Sequence, residues 1–188
     1  TLTDEQRARI RRHFLAYVQA EAREGRSLHD DLDQIYSSID SLMASDTIER
    51  LISVLHTSAH VVLFATEASR LSLTEFQLAM LSEERKVRLV SESSSDVNGI
   101  GALGQDDLLV VVTTSNGFAL RQRRNIERSA AYKAIVTAND DPDLHVCFDS
   151  VLSIGNGAQE GSPLHRIYAT YGVTYFFDRL FSTYAQAY

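Results

Sequence analysis

The run Leu108-Leu109-Val110-Val111-Val112, followed directly by Thr113-Thr114-Ser115-Asn116-Gly117, decides the fold of this chain. Consecutive apolar residues without polar alternation are typical of a strand that is buried on both faces, as in a parallel sheet covered by helices. Four other short runs have the same character: Val61–Ala65, Val87–Val90, Ala134–Val136 and Val151–Ile154, the last beginning as early as Val146. The sequence therefore predicts a five-stranded parallel sheet.

Helical segments are predicted between and around these strands. Segments long enough for one helix each lie at about 69–83, 96–103 and 118–130, with a short turn near 139–145. Repeated strand–helix units imply right-handed crossovers and helices on both faces of the sheet. The first sixty residues also have helical periodicity, with segments at about 30–44 and 46–58 after a first helix that Gly25 ends. We therefore expect an α/β fold, a doubly wound three-layer αβα sandwich with N-terminal helices.

The last predicted helix, about 162–187, is unusually rich in apolar and aromatic residues. Its apolar residues cover more than one face: Ile167, Val173, Tyr175, Phe176, Phe177, Leu180 and Phe181. A helix that is apolar nearly all round must be buried on two sides. The pattern favours a homodimer in which this helix contacts a second copy.

Composition and charge exclude several classes of protein. The 188 residues carry a net charge of −7 and one cysteine, so neither a disulfide framework nor a cysteine-rich zinc site is expected, and a reducing cytoplasm suits the chain. Residues 1–26 hold six arginines and four carboxylates, a local charge of +2, which leaves −9 for the remainder. That remainder repels nucleic-acid phosphates. No apolar run approaches the roughly 20 residues that span a bilayer.

Hydroxyl-rich loops follow the first three predicted strands. They read Thr66-Glu67-Ala68-Ser69, Ser91-Glu92-Ser93-Ser94-Ser95 and Thr113-Thr114-Ser115-Asn116-Gly117. Ligands of open α/β sheets bind beyond the carboxyl ends of the strands. Hydroxyl donors, backbone N–H groups and the start of a helix are what a phosphate group requires. The same residue types are also common in ordinary turns and helix caps.

From about residue 28 onward the chain resembles the sugar isomerase (SIS) domain of RpiR/MurR-type bacterial transcriptional regulators. The matching segments are Ala59–Ala65 with Ser69, Leu103–Leu108, Val112–Gly117, Lys133–Thr137 and the closing stretch from Ser162 to Phe181. The resemblance implies a flavodoxin-like SIS domain over 28–188. Residues 1–27 would be a linker helix that follows a helix-turn-helix domain missing from this chain.

The resemblance further implies a non-enzymatic sensor that binds a phosphosugar without any cofactor. The resemblance implies that such a domain forms a homodimer or a tetramer and contacts DNA only through the missing domain. The implied effector site comprises Ser69, Thr113, Thr114, Ser115, Asn116 and Gly117, with Glu67 beside them.

The chain departs from the family at two places, and the departures leave two alternatives open. The family has glycines before the serine of its first loop, where this chain has Ala65, Thr66, Glu67 and Ala68, and Phe118 stands where the family has a hydroxyl residue. A dimerisation module with a degenerate pocket is one alternative. A sugar-phosphate isomerase or lyase that uses Glu67 or Glu92 as its base is the other.

Other chemically active residues are predicted to be structural. His56 and His60 are four residues apart but have no third metal ligand nearby in sequence, so no metal site is expected. Cys147 fits the core of a strand. His165 lies early in the last helix, near the carboxyl edge of the sheet. Three arginines, Arg121, Arg124 and Arg128, fit a solvated helix face.

Overall fold

The computed structural model describes residues 3–25, 27–155 and 164–188. A parallel five-stranded sheet forms its centre, in the order β2-β1-β3-β4-β5. The strands are β1 (Val61–Ala65), β2 (Val87–Ser91), β3 (Leu108–Val112), β4 (Tyr132–Thr137) and β5 (Ser150–Ser153). The predicted sheet is thus confirmed. Only the proposed early start of β5 is wrong, because Val146 lies in a short helix.

The helices connect and cover this sheet. They are α1 (Asp4–Glu24), α2 (Leu28–Met43), α3 (Asp46–Thr57), α4 (Glu67–Ser82), α5 (Gly117–Arg121), α6 (Arg123–Arg128), α7 (Leu144–Cys147), α8 (Leu164–Ile167) and α9 (Val173–Ala187). A 3₁₀ helix spans Ser95–Ala102, and a π-helical turn, Tyr168–Gly172, joins α8 to α9. The single helix predicted over 118–130 is divided in two, because Gln122 leaves the helical conformation.

Two apolar layers lie on the two faces of the sheet. Along β1, Val61, Leu63 and Ala65 contribute to the larger layer, which also contains residues of α2, α3, α4 and α9. Val62 and Phe64 contribute to the smaller layer, under the 3₁₀ helix, α5 and α6. Because successive residues of a strand point to opposite faces, a strand between two such layers must be apolar throughout. The three-layer αβα architecture is confirmed.

The final helix, from α8 through the π-turn to α9, is buried on two sides within the chain itself. It packs against α4 on one side and against α2 and α3 on the other. The Phe177 ring lies 4.8 Å from that of Phe76 in α4, and the Tyr175 ring lies 4.4 Å from that of Tyr36 in α2. Intramolecular packing therefore accounts for the apolar faces of this helix, so they do not argue for a dimer.

Candidate functional site

The carboxyl edge of the sheet brings the three hydroxyl-rich loops together. From β1 the chain crosses outward to β2 and then returns to β3 on the other side of β1, so the topological switch lies between β1 and β3. Ala65 at the end of β1 pairs with Ser91 of β2 and with Val112 of β3. Open parallel sheets of this order bind their ligands at the switch point. The loops that begin at Thr66 and Thr113 flank that point.

The loop after β3 is fixed by hydrogen bonds to the neighbouring strand β4. Asn116 has a left-handed backbone with φ of +64°, a conformation that asparagine tolerates better than most residues. Its Oδ1 accepts a hydrogen bond from Thr137 Oγ1 at 2.6 Å, and its Nδ2 donates to the carbonyl of Asn139. The side chain of Asn116 is therefore used to hold the loop, and its backbone carbonyl accepts a hydrogen bond from the Leu120 N–H at 3.0 Å, so the backbone N–H is the group that is left for a ligand.

Thr113 carries a buried hydroxyl without a partner. Its backbone N–H donates to the carbonyl of Val136 at 3.0 Å, which continues the β3–β4 ladder by one residue. The residue is 1% exposed, yet Oγ1 makes no hydrogen bond with any part of the chain that the structure describes. A buried hydroxyl without a partner costs free energy. The Thr113 hydroxyl is therefore a hydrogen-bond donor that the described part of the chain leaves unused.

His165 reaches the same loop from the final helix. Its Nδ1 lies 2.9 Å from Oγ1 of the buried Thr114. The two residues are 51 positions apart in sequence, so only the tertiary structure shows that they meet. The sequence signal is limited to the position of His165 at the start of a helix that begins near this edge. Ser115, between Thr114 and Asn116, is half-buried.

The Phe118 side chain belongs to the smaller apolar layer. Its ring is buried and meets the Phe64 ring edge-on, with centroids 4.7 Å apart, in the smaller apolar layer. The replacement of a hydroxyl residue by Phe118 therefore adds to the core. Gly117 begins a helix of only five residues, α5, so the loop and its side chains must supply most of any anion contact.

The loop after β1 is more strongly charged than the loop after β3. Ser69 is buried in the first turn of α4, and its Oγ accepts a long hydrogen bond of 3.5 Å from Thr66 Oγ1. Glu67 accepts a hydrogen bond from Ser93 of the second loop and lies 3.6 Å from the Arg70 guanidinium. Hydrogen bonds from Ser91 and Ser93, with a smaller contribution from Arg70, lower the pKa of Glu67. The edge therefore carries a fixed carboxylate.

Glu92, the other candidate base, is paired with a guanidinium. Its Oε2 accepts a hydrogen bond from Arg121 Nη2 at 3.1 Å, and both side chains are partly exposed. This pair also gives Arg121 a partner on the protein surface. The contact with Arg121 therefore occupies one of the two carboxylate oxygens of Glu92.

The remaining reactive side chains lie away from this edge. His56 stacks on Tyr188 with ring centroids 3.6 Å apart, whereas His60 binds Asp107, with 2.8 Å between Nδ1 and Oδ1. Within 3–25, 27–155 and 164–188 no three metal-ligating side chains form a cluster. Cys147 is half-buried in the short helix α7, so its predicted place in a strand is wrong.

Comparisons with known proteins define the class of fold. No protein-family model and no curated protein sequence matches this chain. Among solved structures, the Vibrio vulnificus NanR protein complexed with ManNAc-6P is similar with a TM-score of 0.68 and 13% identity, covering 92% of this chain and 67% of NanR. The sugar isomerase domain of an RpiR transcription factor from Sphaerobacter thermophilus has a TM-score of 0.66 and 14% identity, with 85% of this chain and 87% of that one covered.

An enzyme of the same fold is also similar. A Methanococcus jannaschii protein, whose structure led to an inferred 3-hexulose-6-phosphate isomerase function, has a TM-score of 0.63 and 14% identity over 84% of this chain and 90% of its own. The chain therefore has the fold of the phosphosugar isomerase domain, SIS, which both regulators and isomerases use. In the described residues, no helix combines the length and the apolar character that crossing a bilayer requires.

Proposed function

We propose that this chain is the effector-sensing and dimerisation domain of an RpiR-type transcriptional regulator. Its effector is a phosphosugar or a related small anion, bound at the switch point between β1 and β3. The protein uses no cofactor, and it contacts DNA through a domain that precedes residues 1–27, the linker helix. The observation that carries the proposal is the buried Thr113 hydroxyl at this edge of the sheet, for which the described residues supply no hydrogen-bond partner.

The residues of the two loops have different roles in this proposal. Thr113 and Ser115 donate hydroxyl hydrogens to the anion, together with backbone N–H groups at Asn116 and Gly117. Thr114 holds His165 at the rim of the site. Ser69 contributes from the opposite loop.

Glu67 faces the sugar in this proposal. An ionised carboxylate repels a phosphate, but it is a good acceptor for the hydroxyl groups of a sugar. Its lowered pKa keeps it ionised under ordinary conditions. The effector is therefore oriented with its phosphate toward Thr113 and its hydroxyl groups toward Glu67.

The isomerase alternative is supported by the Methanococcus neighbour but less well by the carboxylates. A general base works best when its pKa lies near the working pH. The pKa of Glu67 is shifted in the opposite direction, and Glu92 is paired with Arg121. These observations favour the sensor over the enzyme.

Calorimetric titration and thermal unfolding with a panel of sugar phosphates test the sensor proposal. At about 100 times its Kd, a bound effector stabilises the folded state by roughly 2.7 kcal/mol. The matching unphosphorylated sugars and inorganic phosphate are the controls for the two halves of the ligand. If no sugar phosphate changes the melting temperature, effector binding is contradicted.

Thr113→Val sharpens this test. The variant should lose most of the response to sugar phosphate, while the free protein becomes no less stable, because valine removes a buried hydroxyl that has no partner in the part of the chain that the structure describes. Thr57→Val, at an exposed position of α3, is the matched control and should respond like the wild type.

The isomerase alternative is tested by following the exchange of the C2 proton of the same sugar phosphates by NMR. If the wild type catalyses this exchange and Glu67→Gln abolishes it, the result would favour the enzyme.

A further inference from the structure

Helix α4 carries apolar residues on two opposite sides, and the chain covers only one of them. Leu73, Phe76 and Met80 are buried against the sheet and the final helix. On the outer side, Leu71 is 82% exposed, Leu78 62% and Leu81 53%. A single exposed leucine is ordinary, but an aligned group of them marks an interaction surface.

The outer leucines form a regular seam with Thr74. Residues 71, 74, 78 and 81 follow one another at intervals of three, four and three, the spacing at which helices pack side by side. A groove of about 350 Å³ runs along this seam between α4 and the final helix, and Thr170 and Thr174 form its far wall. The surface therefore combines a ridge of leucines with a neighbouring groove.

Charges of opposite sign flank the seam. Arg70 precedes Leu71 on one flank, and Glu75 follows Thr74 on the other, where it also lines the groove. Glu75 makes no salt bridge with any described residue, and neither does the nearby Asp178 of α9. Burial and the charge of Glu75 raise the pKa of Asp178. Among the described residues, no cation forms a salt bridge with either carboxylate of this flank.

A second copy of the chain supplies a cation when two α4 helices pack side by side in the same direction. In a parallel in-register pair, the residue before one seam position faces the residue five positions later on the other helix, which matches Arg70 with Glu75 of the partner subunit. Antiparallel pairing about the middle of the helix would instead place the two Glu75 carboxylates of the two copies against each other. The existing contact of Arg70 with Glu67, at 3.6 Å between exposed groups, is weak enough to be exchanged.

We propose that the seam Leu71–Thr74–Leu78–Leu81 binds the same seam of a second copy, parallel and in register about a twofold axis, with two Arg70–Glu75 ion pairs between the copies. A twofold interface uses each patch twice, so three outer leucines become six. This surface differs from the final helix, from which the sequence predicts the dimer. The proposal does not depend on effector binding, because none of its seam residues lies in the effector site.

Sedimentation equilibrium of the full chain tests whether this surface forms a dimer. Protein concentrations from about 1 to about 100 µM cover the range in which a dimer of ordinary affinity dissociates. We expect a wild-type dimer whose association constant falls at least about tenfold in Leu78→Glu. Leu120→Glu is the matched control, because Leu120 is 60% exposed on α5, away from the seam. A monomeric wild type, or a dimer that Leu78→Glu leaves intact, overturns the proposal.

Charge exchange and cross-linking test the direction of packing. Arg70→Glu and Glu75→Arg should each weaken the dimer, and the double variant should restore it. Leu71→Cys, combined with Cys147→Ser, should form a disulfide-linked dimer on mild oxidation, because only parallel pairing brings residue 71 to its own counterpart. Failure of both the restoration and the cross-link overturns the parallel arrangement, and circular dichroism checks that each variant is folded.

Discussion

The final helix and α4 pack against each other, and both carry apolar residues on more than one side. Helices α2, α3 and α4 cover the final helix, so its large side chains are buried within one chain. The outer leucines of α4, by contrast, are more than half exposed among the residues that the structure describes. A helix with two apolar sides therefore predicts two contacts, but not whether both belong to the same chain.

Among the substitutions that test this comparison, Phe177→Ala should change the free energy of unfolding most. The side chain is 1% exposed between Phe76 and Phe176, so its removal leaves a cavity and should lower the free energy of unfolding by about 3–5 kcal/mol. Denaturant unfolding at low protein concentration measures it. Leu78→Ala is the counterpart on α4 and should stay within about 0.5 kcal/mol of the wild type under these conditions. Equal losses would show that the outer side of α4 is buried within the monomer.

Tyr175→Phe should lower the free energy of unfolding by a smaller amount. The Tyr175 hydroxyl donates to Asp40 of α2, with 2.9 Å to Oδ1, and the exchange removes this bond while keeping the ring on Tyr36. We expect a loss of about 1 kcal/mol in the same unfolding experiment. Tyr171→Phe is the control, because no hydrogen bond of its hydroxyl is found among the described residues. A loss in the control as large as in Tyr175→Phe would contradict this assignment.

Asp178→Asn should have the smallest effect, and its sign depends on pH. Burial, with the charge of Glu75, raises the pKa of Asp178 above its ordinary value, so the folded state holds this proton more tightly than the unfolded state. The wild type therefore loses stability as the pH rises from that ordinary value through the raised one. At neutral pH the asparagine variant should be more stable by less than about 0.5 kcal/mol.

The same measurement near pH 3 supplies the check for Asp178. Both forms are then uncharged at this position, so the gain should disappear. In a Glu75→Gln background, Asp178→Asn should stabilise the protein less at neutral pH, since the charge of Glu75 is one of the two causes of the raised Asp178 pKa. A gain that is independent of pH would point to packing of the amide.

Local sequence was sufficient to predict the sheet and most of its helices. An unbroken apolar run such as Leu108–Val112 reports burial on both faces, because each residue of a strand must match the layer that it points to. Gly25, with φ of +62°, ends α1 as predicted, because glycine adopts a left-handed backbone without a steric penalty. Cys147 was assigned to a strand because four residues of a short apolar segment do not distinguish a strand from one helical turn.

The candidate site could be predicted only in outline. The three hydroxyl-rich loops follow from strand ends, and strands that run parallel bring those ends to one edge. The use of each side chain depends on partners far away in sequence. Asn116 binds Thr137, and Thr114 meets His165, whereas Thr113 finds no described partner.

The sequence by itself determined where the chain is apolar, where it turns and which residue types follow each strand, because these depend on neighbours a few positions away. Only the tertiary structure decided which apolar faces are covered and which hydroxyl groups are satisfied. Covering a face or pairing a buried hydroxyl requires groups from other elements, and the packing of those elements is a property of the whole fold. For that reason the outer seam of α4, and a Thr113 hydroxyl without a partner among the described residues, become visible only after the chain has folded.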